Sequence, residues 1–226
     1  MATLDLEEQE QLDQLKHFWR QYGNLITWTL VLALGGYAAW NGWQYWQRDQ
    51  GAKASGMYAG LVQAAQANDA DRAGKVFEEL KDRYGRTAFA EQGGLLAAKV
   101  QYDQGKLAEA EASLRWVAEH AGEEEYRAVA QLRLAAMLLD AKQSDEALKV
   151  LVGEFPKAYA PLAADRRGDV LLAQGKSDEA VAAYQQAHAG LGAEQNYRRL
   201  IEAKLASLGA MPVADKAATS AAGASQ

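Results

Sequence analysis

A six-residue motif recurs along this chain at a spacing that few folds allow. Gly105-Lys106-Leu107-Ala108-Glu109-Ala110 is echoed by Lys142-Gln143-Ser144-Asp145-Glu146-Ala147 and by Gly175-Lys176-Ser177-Asp178-Glu179-Ala180. A weaker copy is Asn68-Asp69-Ala70-Asp71-Arg72-Ala73. The closing alanines, at 73, 110, 147 and 180, stand 37, 37 and 33 residues apart. Four residues after each comes a large apolar side chain: Phe77, Leu114, Leu151 and Tyr184. Twelve residues before the last three come small ones, Ala98, Ala135 and Gly168, whereas the first copy has Leu61. A period of this length marks a supersecondary unit that cannot bury a face alone and must stack on copies of itself.

The unit is a helix–turn–helix. A small residue on the first helix and an alanine on the second let the two axes approach, and the large residue one turn later fills the groove between units. Ser144 and Ser177 are expected as N-caps, followed by acidic residues that suit the helix dipole. Period and pattern resemble tetratricopeptide repeats in a degenerate form. The aromatic expected near the start of the first helix is replaced by Gly94, Gln131 and Ala164, and the proline that ends the second helix is missing. Alanine is abundant, Val and Ile are sparse, and only three prolines occur, a balance that favours helix over sheet. The fold expected is all-α, a right-handed solenoid of helical hairpins. Helices are expected at roughly 70–84, 89–103, 107–121, 126–140, 144–154, 160–174 and 177–190. A closing helix is expected at about 196–208, with Arg198, Arg199, Glu202 and Lys204 as a polar cap.

Ahead of the repeats, residues 21–47 carry no charge. Leu25 to Trp46 is 22 residues, which as a helix spans roughly 33 Å, enough for a ~30 Å hydrocarbon core. A cleaved signal peptide would need a basic start and a small-residue cleavage site. Here the start is acidic, with Asp5, Glu7, Glu8, Glu10 and Asp13 against Lys16 and Arg20. The apolar core ends in Trp40, Trp43, Tyr45 and Trp46, which suit a membrane–water boundary and are the candidate interface anchors. A buried globular helix of that length without a charge is disfavoured. The expected organisation is an amphipathic N-terminal segment (1–24), a transmembrane helix (25–46), a repeat domain (47–208) and an Ala/Ser-rich disordered tail (209–226). The long helix is allowed to run on towards Gln66. Lys16 and Arg20 on one side balance Arg48 and Lys53 on the other, so charge leaves the orientation open.

Composition closes several routes to chemistry. The net charge of −6 disfavours non-specific nucleic-acid binding, and the absence of cysteine rules out disulfides and thiolate chemistry. Gly175-Lys176-Ser177 ends like a phosphate-binding loop, but Val170 stands where that motif needs glycine, and the turn joins helix to helix. His17, His120 and His188 each stand alone, without ligand or triad spacing. No catalytic, cofactor or metal residue is expected, and no small-molecule substrate. What remains is a binding surface: the inner helices of stacked hairpins line a concave groove. By repeat position Lys99, Tyr102, Arg133, Asp165 and Asp169 are the candidate partner-binding residues, with Leu95, Leu132 and Leu139 among them. A reading in which the leucines are core and the charges are solvation stands beside this one.

The N-terminal segments Glu7-Glu8-Gln9-Glu10-Gln11-Leu12, Leu15-Lys16-His17-Phe18-Trp19-Arg20-Gln21-Tyr22-Gly23-Asn24 and Gly42-Trp43-Gln44-Tyr45-Trp46 are the most specific part of the chain. With Leu132-Arg133-Leu134-Ala135 and Asp165-Arg166-Arg167-Gly168-Asp169, the chain resembles the YfgM family, the ancillary SecYEG translocon subunits of Gram-negative bacteria. That resemblance implies a non-enzymatic inner-membrane protein with a cytoplasmic N-terminus and periplasmic repeats. The partners it implies are SecYEG, a PpiD-like periplasmic chaperone and, through the N-terminal tail, a cytoplasmic response regulator. Two other readings stand beside it: a tetratricopeptide coordinator of cell-envelope synthesis or division, and a groove-based ligand-binding protein or enzyme.

Overall fold

The computed structural model describes residues 6–192 and 196–211. These form nine helices in the order α1 (Leu6–Gln66), α2 (Ala70–Tyr84), α3 (Ala88–Asp103), α4 (Leu107–His120), α5 (Glu124–Asp140), α6 (Ser144–Val150), α7 (Ala160–Ala173), α8 (Ser177–Gly190) and α9 (Asn196–Ser207). No strand occurs among the described residues. The fold is the all-helical array that the repeat implies. Most of the tail expected at 209–226 lies outside the described residues. The chain divides into two compact units, Met1–Ala52 and Lys53–Gln226.

Within the second unit, one turn is used five times. Asn68, Gly105, Lys142, Gly175 and Gly209 all take positive φ, between 51° and 76°. Each donates its N–H to the carbonyl three residues back, and the next N–H reaches five back: Lys106 to Gln101, Gln143 to Leu138, Lys176 to Leu171, and likewise for Asp69 and Ala210. This pair of bonds satisfies the last carbonyls of a helix while the left-handed residue reverses the chain. Glycine fills three of the five places without steric cost, and Asn68 tolerates the conformation better than most. Lys142 has neither advantage. The expected serine caps are corrected. Ser144 and Ser177 are the first helical residues, one place inside Gln143 and Lys176, and no side chain caps either helix. The turn fixes the backbone so tightly that the cap position falls on the residue directly after the left-handed one. The acidic residues Asp145, Glu146, Asp178 and Glu179 do stand in the first turns. True side-chain caps occur at Asp69, which accepts from Arg72 N–H, and at Thr87, which accepts from Ala90 N–H.

The small-against-large logic of the repeat holds the hairpins together. A Cβ placed on Gly168 would stand 2.5 Å from Cε1 of Tyr184, so the ring of α8 occupies the space that a side chain on α7 would need. In the two preceding hairpins the large residue is leucine, and alanine fits opposite it. Phe77 lies against Gly94 of the next helix in the same manner and meets Trp116 edge-on with ring centroids 5.5 Å apart. One core joins α3 to α7 around Leu114, Leu134, Leu138 and Leu151. A second joins α7 to α9 around Tyr184, Ile201 and Leu205. The last part of α1 adds Leu61 and Ala64 to the core of α2 and α3. Helix α6 stops at Val150, short of the expected 154. Leu151 turns inward as core instead, and Gly153 at φ 119° and Pro156 end the helical run.

In the first unit, the amphipathic segment and the expected span are one helix without a break at Gly23. The Trp19 ring lies over Gly23, and Thr27 Oγ1 donates to its carbonyl at 2.7 Å. Among the described residues, no helix is long and apolar enough by mean hydropathy to cross a membrane. Thr27, Trp28, Thr29, Gly35, Gly36 and Tyr37 dilute the Leu/Val run, so hydropathy alone does not establish the span expected at 25–46. Trp40, Trp43, Tyr45 and Trp46 are exposed along this helix, with the Trp43 and Trp46 rings 5.2 Å apart.

Candidate functional site

Between α3 and α5 lies a groove of about 410 Å³, lined by Ala98, Lys99, Tyr102, Asp103, Leu114, Arg133, Ala136, Met137 and Asp140. Its floor is made by the repeat itself. Ala98 is the small residue of one hairpin, Leu114 is the large residue packed on it, and Met137 closes the far side. Its walls come from residues three or four positions apart, which share one helix face. On α3 these are Lys99, Tyr102 and Asp103, and on α5 they are Arg133, Ala136 and Asp140.

The walls carry both signs of charge. Lys99 pairs with Asp103 one turn along. Tyr102 donates its hydroxyl to Asp140 across the groove at 3.3 Å, and the negative charge of Asp140 holds the phenol above its usual range. Arg133 donates to the Leu95 carbonyl at 3.3 Å, which anchors one edge of its guanidinium and leaves the exposed remainder at the groove rim. An apolar floor flanked by tyrosine, two cations and two carboxylates suits a polypeptide with mixed side chains. It places no nucleophile beside a base. Among the described residues no group of three or more His, Cys, Asp or Glu could hold a metal ion.

Of the five candidate residues, the structure brings Lys99, Tyr102 and Arg133 together in this groove and places Asp165 and Asp169 elsewhere. Asp165 is only 2 % exposed and sits between α7 and α9. It accepts from Tyr197 at 2.5 Å and from Lys204 at 2.7 Å. Asp169 accepts from Tyr184 at 2.8 Å and from Lys204 at 2.5 Å. The Lys204 amine also lies 5.2 Å from the Tyr184 ring centroid. Burial, reinforced by the neighbouring carboxylates, pushes both the Tyr184 and Tyr197 phenols well above their usual range. This cluster clamps α9 to α7 and α8, and Asp165 is not open to a partner. It also divides the polar cap expected on α9. Lys204 and Arg198 turn inward, Arg199 stays exposed, and Glu202 keeps 44 % of its side chain exposed while its carboxylate lies 3.1 Å from Nε2 of the buried His188, which is 2.9 Å from Arg198. His188 lies outside the groove between α3 and α5.

Leu95 is core, and Leu132 and Leu139 pack against core. Asp103, Met137 and Asp140 were not singled out from sequence. A signal existed for two of them: Asp103 and Asp140 each stand two residues before a left-handed turn residue, so they are equivalent positions of adjacent repeats.

Stacked hairpins around a mixed polar groove define a tetratricopeptide-like array. The tetratricopeptide repeat-like domain family matches residues 16–210. An "Ancillary SecYEG translocon subunit" from Neisseria gonorrhoeae is 34% identical over 205 residues, covering 90% of this chain and 98% of that protein. Proteins of the same name from Escherichia coli and Haemophilus influenzae are 30% and 28% identical, covering 79% and 80% of this chain and 85% and 89% of their own lengths. The chain belongs to the family of ancillary SecYEG translocon subunits.

Proposed function

We propose that this chain is a membrane-tethered, non-enzymatic interaction protein that docks beside the SecYEG translocon. On this reading it offers the groove between α3 and α5 to a polypeptide. The match to relatives of that name over nearly their whole length carries the reading. Residues 25–46 form the tether, with the N-terminus in the cytoplasm and the repeats in the periplasm. Mean hydropathy undercounts tryptophan and tyrosine, which favour the headgroup region rather than water. The run is uncharged, and Leu25, Trp28, Leu30, Leu32 and Leu34 are all exposed around the helix, as suits a helix bathed in lipid. Lys99, Tyr102 and Arg133 contact the bound polypeptide, a segment of a periplasmic chaperone of the PpiD kind or of a client emerging from the channel. Asp169 contributes by holding α9 in place. The N-terminal segment is the part available to a cytoplasmic response regulator.

Affinity purification of the full chain in mild detergent should recover SecY and a PpiD-like chaperone. Tyr102→Ala combined with Arg133→Glu should lower chaperone recovery while leaving SecY recovery unchanged. Failure to recover SecY at native abundance overturns the translocon reading, and chaperone recovery that ignores the double substitution overturns the groove. The chain has no cysteine, so single cysteines at Gln9 and Lys149, tested with a membrane-impermeant thiol reagent on intact inner-membrane spheroplasts, report the topology. Labelling at Lys149→Cys alone is expected, and labelling at Gln9→Cys alone reverses the orientation.

A further inference from the structure

We propose that the groove between α3 and α5 selects its polypeptide by charge pattern: a carboxylate and a cation, about three residues apart, flanking one bulky apolar side chain. This rests on the reading that the groove receives a polypeptide, and specifies what that polypeptide carries. Both walls of the groove run from positive to negative in the same direction. On α5, Arg133 stands seven positions before Asp140, which sets the two ~10 Å apart along the helix axis. On α3, Lys99 stands four positions before Asp103. The two helices lie parallel across the groove. Arg133 reaches the Leu95 carbonyl at the middle of α3, and Asp140, farther along α5, meets Tyr102 near the end of α3. Asp103 and Asp140 are the last residues of their helices. The partial negative charge of two helix C-termini therefore adds to that of two carboxylates at one end of the groove.

The charges at the two ends are not consumed within the protein. Arg133 donates to a carbonyl, and among the described residues no carboxylate pairs with it. Asp140 accepts from a neutral phenol, which leaves its charge unbalanced. Lys99 and Asp103 pair with each other, but both are well exposed, and a pair of that kind yields readily to a ligand. Between the ends lies the apolar floor of Ala98, Leu114 and Met137. Ala98 is too small to fill the space above it, and the unbranched Met137 adapts to what enters. The groove volume of about 410 Å³ admits a large side chain together with the backbone that carries it. An extended segment advances about 3.3 Å per residue, so about three residues span the distance from Arg133 to Asp140. A uniformly acidic or uniformly basic segment would satisfy one end and be repelled at the other.

The test uses the full chain in mild detergent and four end-blocked peptides, read by fluorescence anisotropy at low salt. Each peptide carries leucine between two variable positions three residues apart. These are filled by Glu and Lys, Gln and Lys, Glu and Gln, or Gln and Gln. The Glu/Lys peptide should bind most tightly, and each neutral replacement should weaken it about threefold to fivefold. On Arg133→Gln, replacing the peptide's Glu should cease to matter while replacing its Lys still does. On Asp140→Asn the reverse should hold. The Gln/Gln peptide is the internal reference and should bind both variants as it binds the parent. Equal binding of all four peptides to the parent overturns the charge selection and leaves the polypeptide groove standing. Tighter binding of the Glu/Gln or the Gln/Lys peptide than of Glu/Lys also overturns it, because the groove then selects a single sign. So does a ranking that neither substitution alters. Failure of all four to bind a chain that melts cooperatively by circular dichroism overturns it together with the reading of the groove as a polypeptide site.

Discussion

The stability of single positions here follows from which side chain stands across the hairpin. Gly168 has no room for a methyl group because Tyr184 fills it. Gly168→Ala should destabilise the protein by about 2 kcal/mol, roughly 4–8 °C in Tm by circular dichroism. Adding Tyr184→Leu restores the Ala/Leu pairing used by the two preceding hairpins and should recover part of that loss. The Asp165–Asp169–Lys204 cluster makes a second statement at this scale, about pH. Both phenols it holds, Tyr184 and Tyr197, lose their protons less readily folded than unfolded. Their contribution is therefore complete below the ordinary tyrosine range of about 10 and is lost as pH rises towards the higher folded values. Urea melts of the parent should show stability falling above about pH 10, with Tyr197→Phe flatter by up to about 1.4 kcal/mol per pH unit. Asp165 shows where sequence reading ran out. Its repeat position matches that of Leu95, which period alone assigns to the inner, groove-lining side of a hairpin, whereas the structure buries Asp165 between α7 and α9. Nothing local told that Lys204, 39 positions later, would neutralise a buried carboxylate there.

Helix boundaries were legible because glycine and alanine recur at fixed offsets. Most of the helix limits expected from the repeat fall within two residues of those observed. The misses have two causes. Ser144 and Ser177 have the chemistry of caps, but the left-handed turn sets the backbone first and leaves them inside the helix. Helix α6 ends early because Leu151 is needed in the core, a tertiary demand that overrides helical propensity. The turn itself supports a prediction. Lys142 holds φ 61° where its counterparts at 105 and 175 are glycines. Lys142→Gly should therefore stabilise the protein by about 1 kcal/mol, offset in part by the greater freedom of glycine in the unfolded chain. Asn68→Gly should gain less. Chemical denaturation midpoints of the two variants decide between these outcomes.

On the scale of the whole molecule, the proposed tether can be broken with one charge. Leu34 is exposed within the uncharged run. Leu34→Arg places an ion near mid-membrane at a cost of about 2.5–3.5 kcal/mol on insertion scales. The substituted chain should be released from membranes by alkaline carbonate while the parent stays in the pellet. Retention of both would show that residues 25–46 do not hold the protein there. The lining of the groove was partly readable at this scale. Lys99, Tyr102 and Arg133 share the inner face by period alone, whereas their opposition across α3 and α5, and the Tyr102–Asp140 contact, needed the stacked helices.

Among the described residues, the hydrogen bonds that join one hairpin to the next reach no farther than the 39 positions between Asp165 and Lys204, and the reversing turns recur every 33 to 37 residues from Asn68 to Gly209. Each hairpin therefore needs only its immediate predecessor to bury its face. A chain with this wiring can settle unit by unit in the order in which it is synthesised, without holding long unpaired stretches in waiting. A protein delivered to its compartment as an emerging thread would then be largely assembled before its last residues arrive.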